Sequence, residues 1–226
     1  NEEKKIIQIK QEHPEDWVLI KNSDLSNWNI YFEGLPLREE NIKIKQRFNK
    51  YGMTGCLNIY NSYFKNSAIN VNNGQCEDSL NIISSNGLIK KIDIENSFAD
   101  GIDFDFSNLI IEEVVVNNAN NDCLDVSGGD YETYSTKLYS CKDKAISIGE
   151  RSKFVIKLGE IKKSNIGISV KDLSLLKADN LNIANSPICI EAFQKKQEFG
   201  GGKATISSLE CDGDLREDNH STLKIK

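Results

Sequence analysis

Apolar and polar positions alternate along this chain in short bursts, and the bursts recur at a fixed interval. Aliphatic residues at Leu57, Leu80, Ile102, Leu124, Ile146, Ile168 and Ile190 stand 23 residues apart at the first step and 22 at every later one. The position before each anchor is small: Cys56, Ser79, Gly101, Cys123, Ala145, Gly167, Cys189. The position after is polar (Asn58, Asn81, Asp103, Asp125, Ser147, Ser169, Glu191), and the next is apolar again (Ile59, Ile82, Phe104, Val126, Ile148, Val170, Ala192). In–out–in alternation is a strand half buried against a core. A strand returning every 22 residues, with no helix-length apolar stretch between, predicts one coil of a solenoid.

The rest of each coil supplies two further strands. One is marked by Ile92 and Ile94, Val114 and Val116, Leu138, Ile161 and Ile183; a third apolar patch appears at Leu88, Ile110, Phe154 and Leu176. Corners rich in Asn, Ser and Gly (Asn117-Asn118, Asn120-Asn121, Gly128-Gly129) fit tight turns. The predicted fold is all-β: a single-stranded right-handed parallel β-helix of about 7–9 coils with a repeat of about 22 residues. Like residues then stack at roughly the 4.8 Å spacing of paired strands. The small column sits where the chain bends into the strand, and its bulk limits how tightly the coil can turn.

Residues 1–50 follow the register poorly and are expected to form an N-terminal cap and a first irregular coil, with Trp17, Trp28, Tyr31 and Phe32 as its apolar area. Gly34-Leu35-Pro36-Leu37 reads as a degenerate early coil, since Leu35 precedes Leu57 by 22. Residues 51–226 form the helix proper, with a polar, glycine-rich loop at about 194–203. A first residue that is Asn rather than Met, and a strand pattern still running at Leu223 and Ile225, are expected of a piece of a longer chain.

Net charge is −6, which argues against nucleic acid and anionic membranes and leaves open neutral or cationic glycans, or anionic ones brought in by a metal. No run of 18 apolar residues occurs, so no membrane insertion is expected. The six cysteines (56, 76, 123, 141, 189, 211) form no CxxC pair and have no His nearby, which argues against a zinc site. Three of them lie in the small column, and stacked buried thiols are the expected reading, with disulfides as the alternative.

The chemistry gathers on one face. Asp78, Asp100 and Asp122 stand two positions before successive anchors, followed there by Lys144; Asp103 and Asp125 stand one after, and Asp105 three after. Stacked like charges are destabilising. A cation, hydrogen bonds, Lys144 or protonation must offset them, and a carboxyl held protonated is what a general acid needs. The plainer reading is that these are corner residues capping backbone groups. Calcium, which favours oxygen ligands, is a candidate at Asp100, Asp103, Asp122 and Asp125, although no cofactor is required.

The stretch from Asn96 to Lys171 resembles the polygalacturonase family of glycoside hydrolases, which are parallel β-helices. Phe98-Ala99-Asp100-Gly101-Ile102-Asp103 resembles its first motif. Asn121-Asp122-Cys123-Leu124 resembles the paired-aspartate motif, with Asn121 where the first carboxylate stands. Asp143-Lys144-Ala145-Ile146 resembles the third, with Lys144 in place of histidine, and Gly167-Ile168-Ser169-Val170-Lys171 the fourth, with Ser169 in place of arginine. The resemblance implies a pectin-lyase-like β-helix. The catalytic candidates are Asp100, Asp122, Lys144 and Lys171, with Asn121, Asp143 and Ser169 around them in the resembled motifs and Asp78, Asp103, Asp105 and Asp125 around them in the stacked columns. The missing acid and arginine count against the hydrolase activity.

Three functions follow as expectations. The first is a non-catalytic β-helix module, glycan-binding or structural, of a surface or assembly protein. The second is a carbohydrate-active enzyme, either a hydrolase or a polyuronate lyase or epimerase. The third is a calcium-stabilised scaffold. A polysaccharide is the expected ligand, self-association is open to a solenoid with uncovered ends, and an extracytoplasmic or cell-surface location is favoured.

Overall fold

The computed structural model describes residues 1–36 and 47–226. Within them lie fifteen strands, β1 to β15, all paired in parallel, and no α-helix. The longer strands turn corners and so serve two or three faces of the coil: β8 (Asp100–Ala119), β9 (Leu124–Gly149) and β10 (Lys153–Lys171). The fold is a parallel β-solenoid.

The anchor column is a true ladder. Leu57 pairs with Leu80, Leu80 with Ile102, Ile102 with Leu124, Ile146 with Ile168 and Ile168 with Ile190. All seven side chains are fully buried, and each contributes roughly 1.5–3 kcal/mol by leaving water. We call the face they build the first sheet. It contains β4 (Gly55–Tyr60), β6 (Asp78–Ile83), the opening residues of β8 and β12 (Ile188–Phe193). The second expected strand is also as read: Val116 pairs with Leu138, Leu138 with Ile161 and Ile161 with Ile183.

Two expectations change. One unbroken path of pairings runs through ten strands, giving about ten turns where 7–9 were expected. The additional turns come from the N-terminal region, where β1 (Ile6–Lys10) pairs with β3 (Asn29–Glu33), and β2 (Val18–Lys21) with β4. The partner of Leu57 is Val18, 39 residues earlier (57 − 18), not Leu35. An insertion after Glu33 masks the period there. Leu37, and the rest of the expected cap between 37 and 46, lie outside the described residues.

The third apolar patch was read one residue out of register. Ile110 pairs with Glu132, and Glu132 with Val155, so Ile110 and Leu88 belong to an outward column. Phe154 instead stacks inward with Leu109, Tyr131 and Leu176. The slip arises at the corner, where Glu150 and Arg151 both take positive φ, of 57° and 64°, and add a residue to the turn.

The corners follow the expected chemistry. Asn73, Asn96, Asn118 and Asn185 hold φ between 59° and 65° at one corner, a region Asn tolerates better than most residues. Side chains at this corner bond from coil to coil, Asn118 Nδ2 donating to Asn96 Oδ1 at 3.0 Å and Asn73 Nδ2 to Glu33 Oε1 at 3.3 Å.

The cysteines correct the expectation of stacked thiols, because all six are paired: Cys56–Cys76, Cys123–Cys141 and Cys189–Cys211. Each bridge joins the small column at the start of a turn to the residue that closes the turn. Other coils fill the same corner differently. Ser79 Oγ donates to Ser97 Oγ at 2.8 Å, with both residues buried. At Gly101, an added Cβ would lie 2.6 Å from the Cys123 carbonyl oxygen and 2.9 Å from Val116 Cγ1. The column is small because the corner has no room.

Candidate functional site

The first sheet turns three columns of side chains outward, and the register aligns them. Asp78 pairs with Asp100, Asn81 with Asp103, Ile83 with Asp105, Asp103 with Asp125 and Asp105 with Ser127. The acidic residues expected together are therefore on one face. They are far from solvated: Asp78, Asp100 and Asp122 are 2%, 6% and 5% exposed.

Asn81, itself buried, sits at the centre. Its Nδ2 lies 2.7 Å from Thr54 Oγ1, 3.4 Å from Asp78 Oδ2, 3.5 Å from Asp103 Oδ2 and 3.4 Å from Asp105 Oδ2. Two protons cannot serve four acceptors, so the carboxyls around it compete. Burial is the largest cause of their perturbation. It pushes Asp78 up to about 8, with Asp100 and Glu77 adding repulsion. Asp100 is pushed up to about 7, by burial and then by Asp122. Asp105 rises to about 6, and Asp103 rises well above the carboxylate range. Near neutral pH the cluster holds some of its protons.

Asp100 and Asp122 have a visible structural task. Asp100 Oδ1 accepts the main-chain N–H of Asp122 at 2.8 Å and Asn121 Nδ2 at 2.7 Å. Asp122 Oδ1 accepts the main-chain N–H of Lys144 at 2.9 Å, with Lys144 Nζ at 3.5 Å. Each carboxylate thus caps the coil that follows it. Burial raises the Asp122 carboxyl although Lys144 pulls it down. Burial also opposes the Lys144 charge, but contacts with Asp143 and Asp122 outweigh it and raise that ammonium.

Towards the C-terminus the face becomes less acidic. Lys171 lies along Gly149 and donates to Ser147 Oγ, and Ser169 Oγ donates to Glu191 Oε1 at 2.8 Å. Lys171 and Ser169 are thus on the same sheet as the aspartates but on later coils, bonded to Ser147 and Glu191 rather than to the acidic group. Among the described residues no three His, Cys, Asp or Glu groups are arranged to hold a metal ion. Among the described residues, the buried Asn81 Oδ1 and Asp125 Oδ1 have no hydrogen-bond partner.

Several participants were not marked from the sequence. Thr54 and the Arg47–Glu77 ion pair (2.6 Å) flank the acidic end. Asn81 was visible in the polar column but not marked as its centre. The last is Phe106, 63% exposed at the edge of the face. It stands four positions after its anchor, in a column otherwise made of Asn61, Ser84, Gly128, Glu150, Asp172 and Gln194. That contrast was the available signal.

Comparison of this chain with protein-family models, curated proteins and solved structures gives no match. The functional reading therefore rests on the geometry of the face.

Proposed function

We propose that this chain is a non-catalytic, pectin-lyase-like β-helix module that binds an uncharged glycan along the outward face of its first sheet. One observation carries the reading: Asp100 and Asp122 each commit Oδ1 to a main-chain N–H of the next coil. Carboxylates bonded in this way serve the scaffold rather than a reaction coordinate. Asn121, standing where the resembled family has a carboxylic acid, spends its amide on Asp100. The partly exposed members of the face, Asp103, Asp105, Asp125, Ser127 and Glu191, offer a hydroxyl-rich chain acceptors and donors, and the charge that remains on their carboxyls repels uronates. The three disulfides fit an oxidising compartment, hence an extracytoplasmic or surface setting.

A second reading, a glycoside hydrolase or polyuronate lyase, draws on one feature, the Asp100 carboxyl pushed up to about 7. A group of that kind can donate a proton near neutrality. Hydrolysis needs a second carboxyl within roughly 5–9.5 Å across the scissile bond, and Asp122 is the candidate.

The test is a thermal shift of the purified protein against neutral and acidic oligosaccharides, with and without calcium, run beside Asp100→Asn and Asp122→Asn, with product analysis for any glycan that binds. A ligand of the folded state raises the midpoint. The proposal expects stabilisation by a neutral glycan, no new reducing ends, and binding kept in Asp100→Asn. Turnover that Asp100→Asn abolishes would establish the enzyme instead. Stabilisation by calcium alone would establish the scaffold reading.

A further inference from the structure

The corner after the first sheet is a column of left-handed residues: Asn22 (φ 52°), Asn61 (46°), Ser84 (49°), Phe106 (49°), Gly128 (64°), Glu150 (57°) and Asp172 (55°). Six of the seven are residues with small or polar side chains. A bulky aromatic side chain in this region is an outlier, held only where its surroundings over-determine it. Here they do. The Asp105 carbonyl accepts Ser84 N–H at 2.8 Å and Ser107 Oγ at 2.9 Å, and Ser107 N–H donates to the Tyr131 hydroxyl at 3.2 Å. The chain on both sides of Phe106 is fixed.

The strain gains no core burial, because the ring is 63% exposed. One edge lies against the next coil at Gly128, where an added Cβ would be 2.7 Å from Phe106 Cδ1 and 3.0 Å from Cε1. Gly128 therefore makes room for the ring, and the rest of the ring surface faces solvent. Asp105, immediately before it, points onto the acidic face and reaches Asn81. An apolar plate thus stands next to a row of hydrogen-bonding groups. A pyranose presents that same pair of surfaces, an apolar C–H face and a rim of hydroxyls.

We propose that Phe106 is the stacking platform of the glycan site, with the partly exposed Asp105 carboxyl taking a hydroxyl of the sugar that lies on it. This rests on the glycan-binding reading above and adds to it the position of the tightest subsite.

The experiment compares wild type with Phe106→Asn, Phe106→Tyr and, as a control away from the face, Tyr134→Ser. Affinity is measured by titration calorimetry with cellohexaose, xylohexaose and chitohexaose, and the thermal midpoint is measured for each protein. Asn tolerates positive φ, so Phe106→Asn is expected to melt at or above the wild-type temperature. Its affinity is expected to fall about tenfold, the scale of one aromatic stacking contact. Phe106→Tyr should keep the affinity, and Tyr134→Ser should not change it. Binding by wild type that Phe106→Asn leaves intact overturns this inference while the glycan reading stands. A fall in affinity accompanied by a lower midpoint in Phe106→Asn also overturns it, because the ring would then be structural. No binding by wild type overturns both.

Discussion

Replacing Asp100 by Asn should make this protein more stable at neutral and alkaline pH. Asp100 is 6% exposed, and its Oδ1 accepts Asp122 N–H and Asn121 Nδ2. An Asn side chain keeps that acceptor in place and removes the ionisation. The carboxyl is raised from 3.8 to about 7, chiefly by burial and then by the charge of Asp122. A raised folded value means the stability is fully present below the unfolded value near 4. It falls as pH climbs towards 7 and levels off above. At about 1.4 kcal/mol per pKa unit the fall is of order 4 kcal/mol. The assay is urea denaturation of wild type and Asp100→Asn at several pH values with the disulfides intact. At pH 8 the variant should be more stable by up to about 4 kcal/mol, and at pH 4 the two should agree within about 1 kcal/mol, the worth of one altered hydrogen bond. The variant should also show a shallower decline with pH. A variant less stable than wild type at pH 8, or one with an unchanged decline, would refute the view that this face is a buried, proton-holding cluster.

Other consequences can be checked the same way. Cys123→Ser with Cys141→Ser opens one coil and should cost about 2–5 kcal/mol in chemical denaturation. Ser79→Cys with Ser97→Cys should form a fourth bridge, because those residues occupy the corner that Cys123 and Cys141 occupy and stand 18 apart like them. Thiol titration and mass spectrometry would show it. Ile146→Ala, in the middle of the anchor ladder, should destabilise by about 2–5 kcal/mol.

The period carried most of the fold because every coil from Leu57 to Ile190 repeats one in–out rule with almost no insertion. It failed where coil length changed. The insertion after Glu33 separated Val18 from Leu57 and hid the first turns. The extra corner residue at Glu150-Arg151 moved Phe154 into the column of Tyr131. The disulfides were illegible for a different reason. Cys56, Cys123 and Cys189 share a column, so stacking appeared to explain them, while their partners lie a turn later at positions with no apolar periodicity. At the candidate site, the register put Asp78, Asp100, Asp103, Asp105 and Asp125 on one sheet. It could not show that Asn81 mediates among them, or that Asp100 and Asp122 cap the next coil, since both depend on side-chain direction. Phe106 was hidden by its neighbours in sequence and becomes conspicuous only against its corner column.

The most direct test of the account is a calorimetric titration of the wild-type protein with neutral oligosaccharides of increasing length. A ladder of like groups running coil after coil predicts affinity that rises with each added sugar until the outward face is spanned. Heat that does not depend on length, or no heat at any length, would contradict a glycan site built along this sheet.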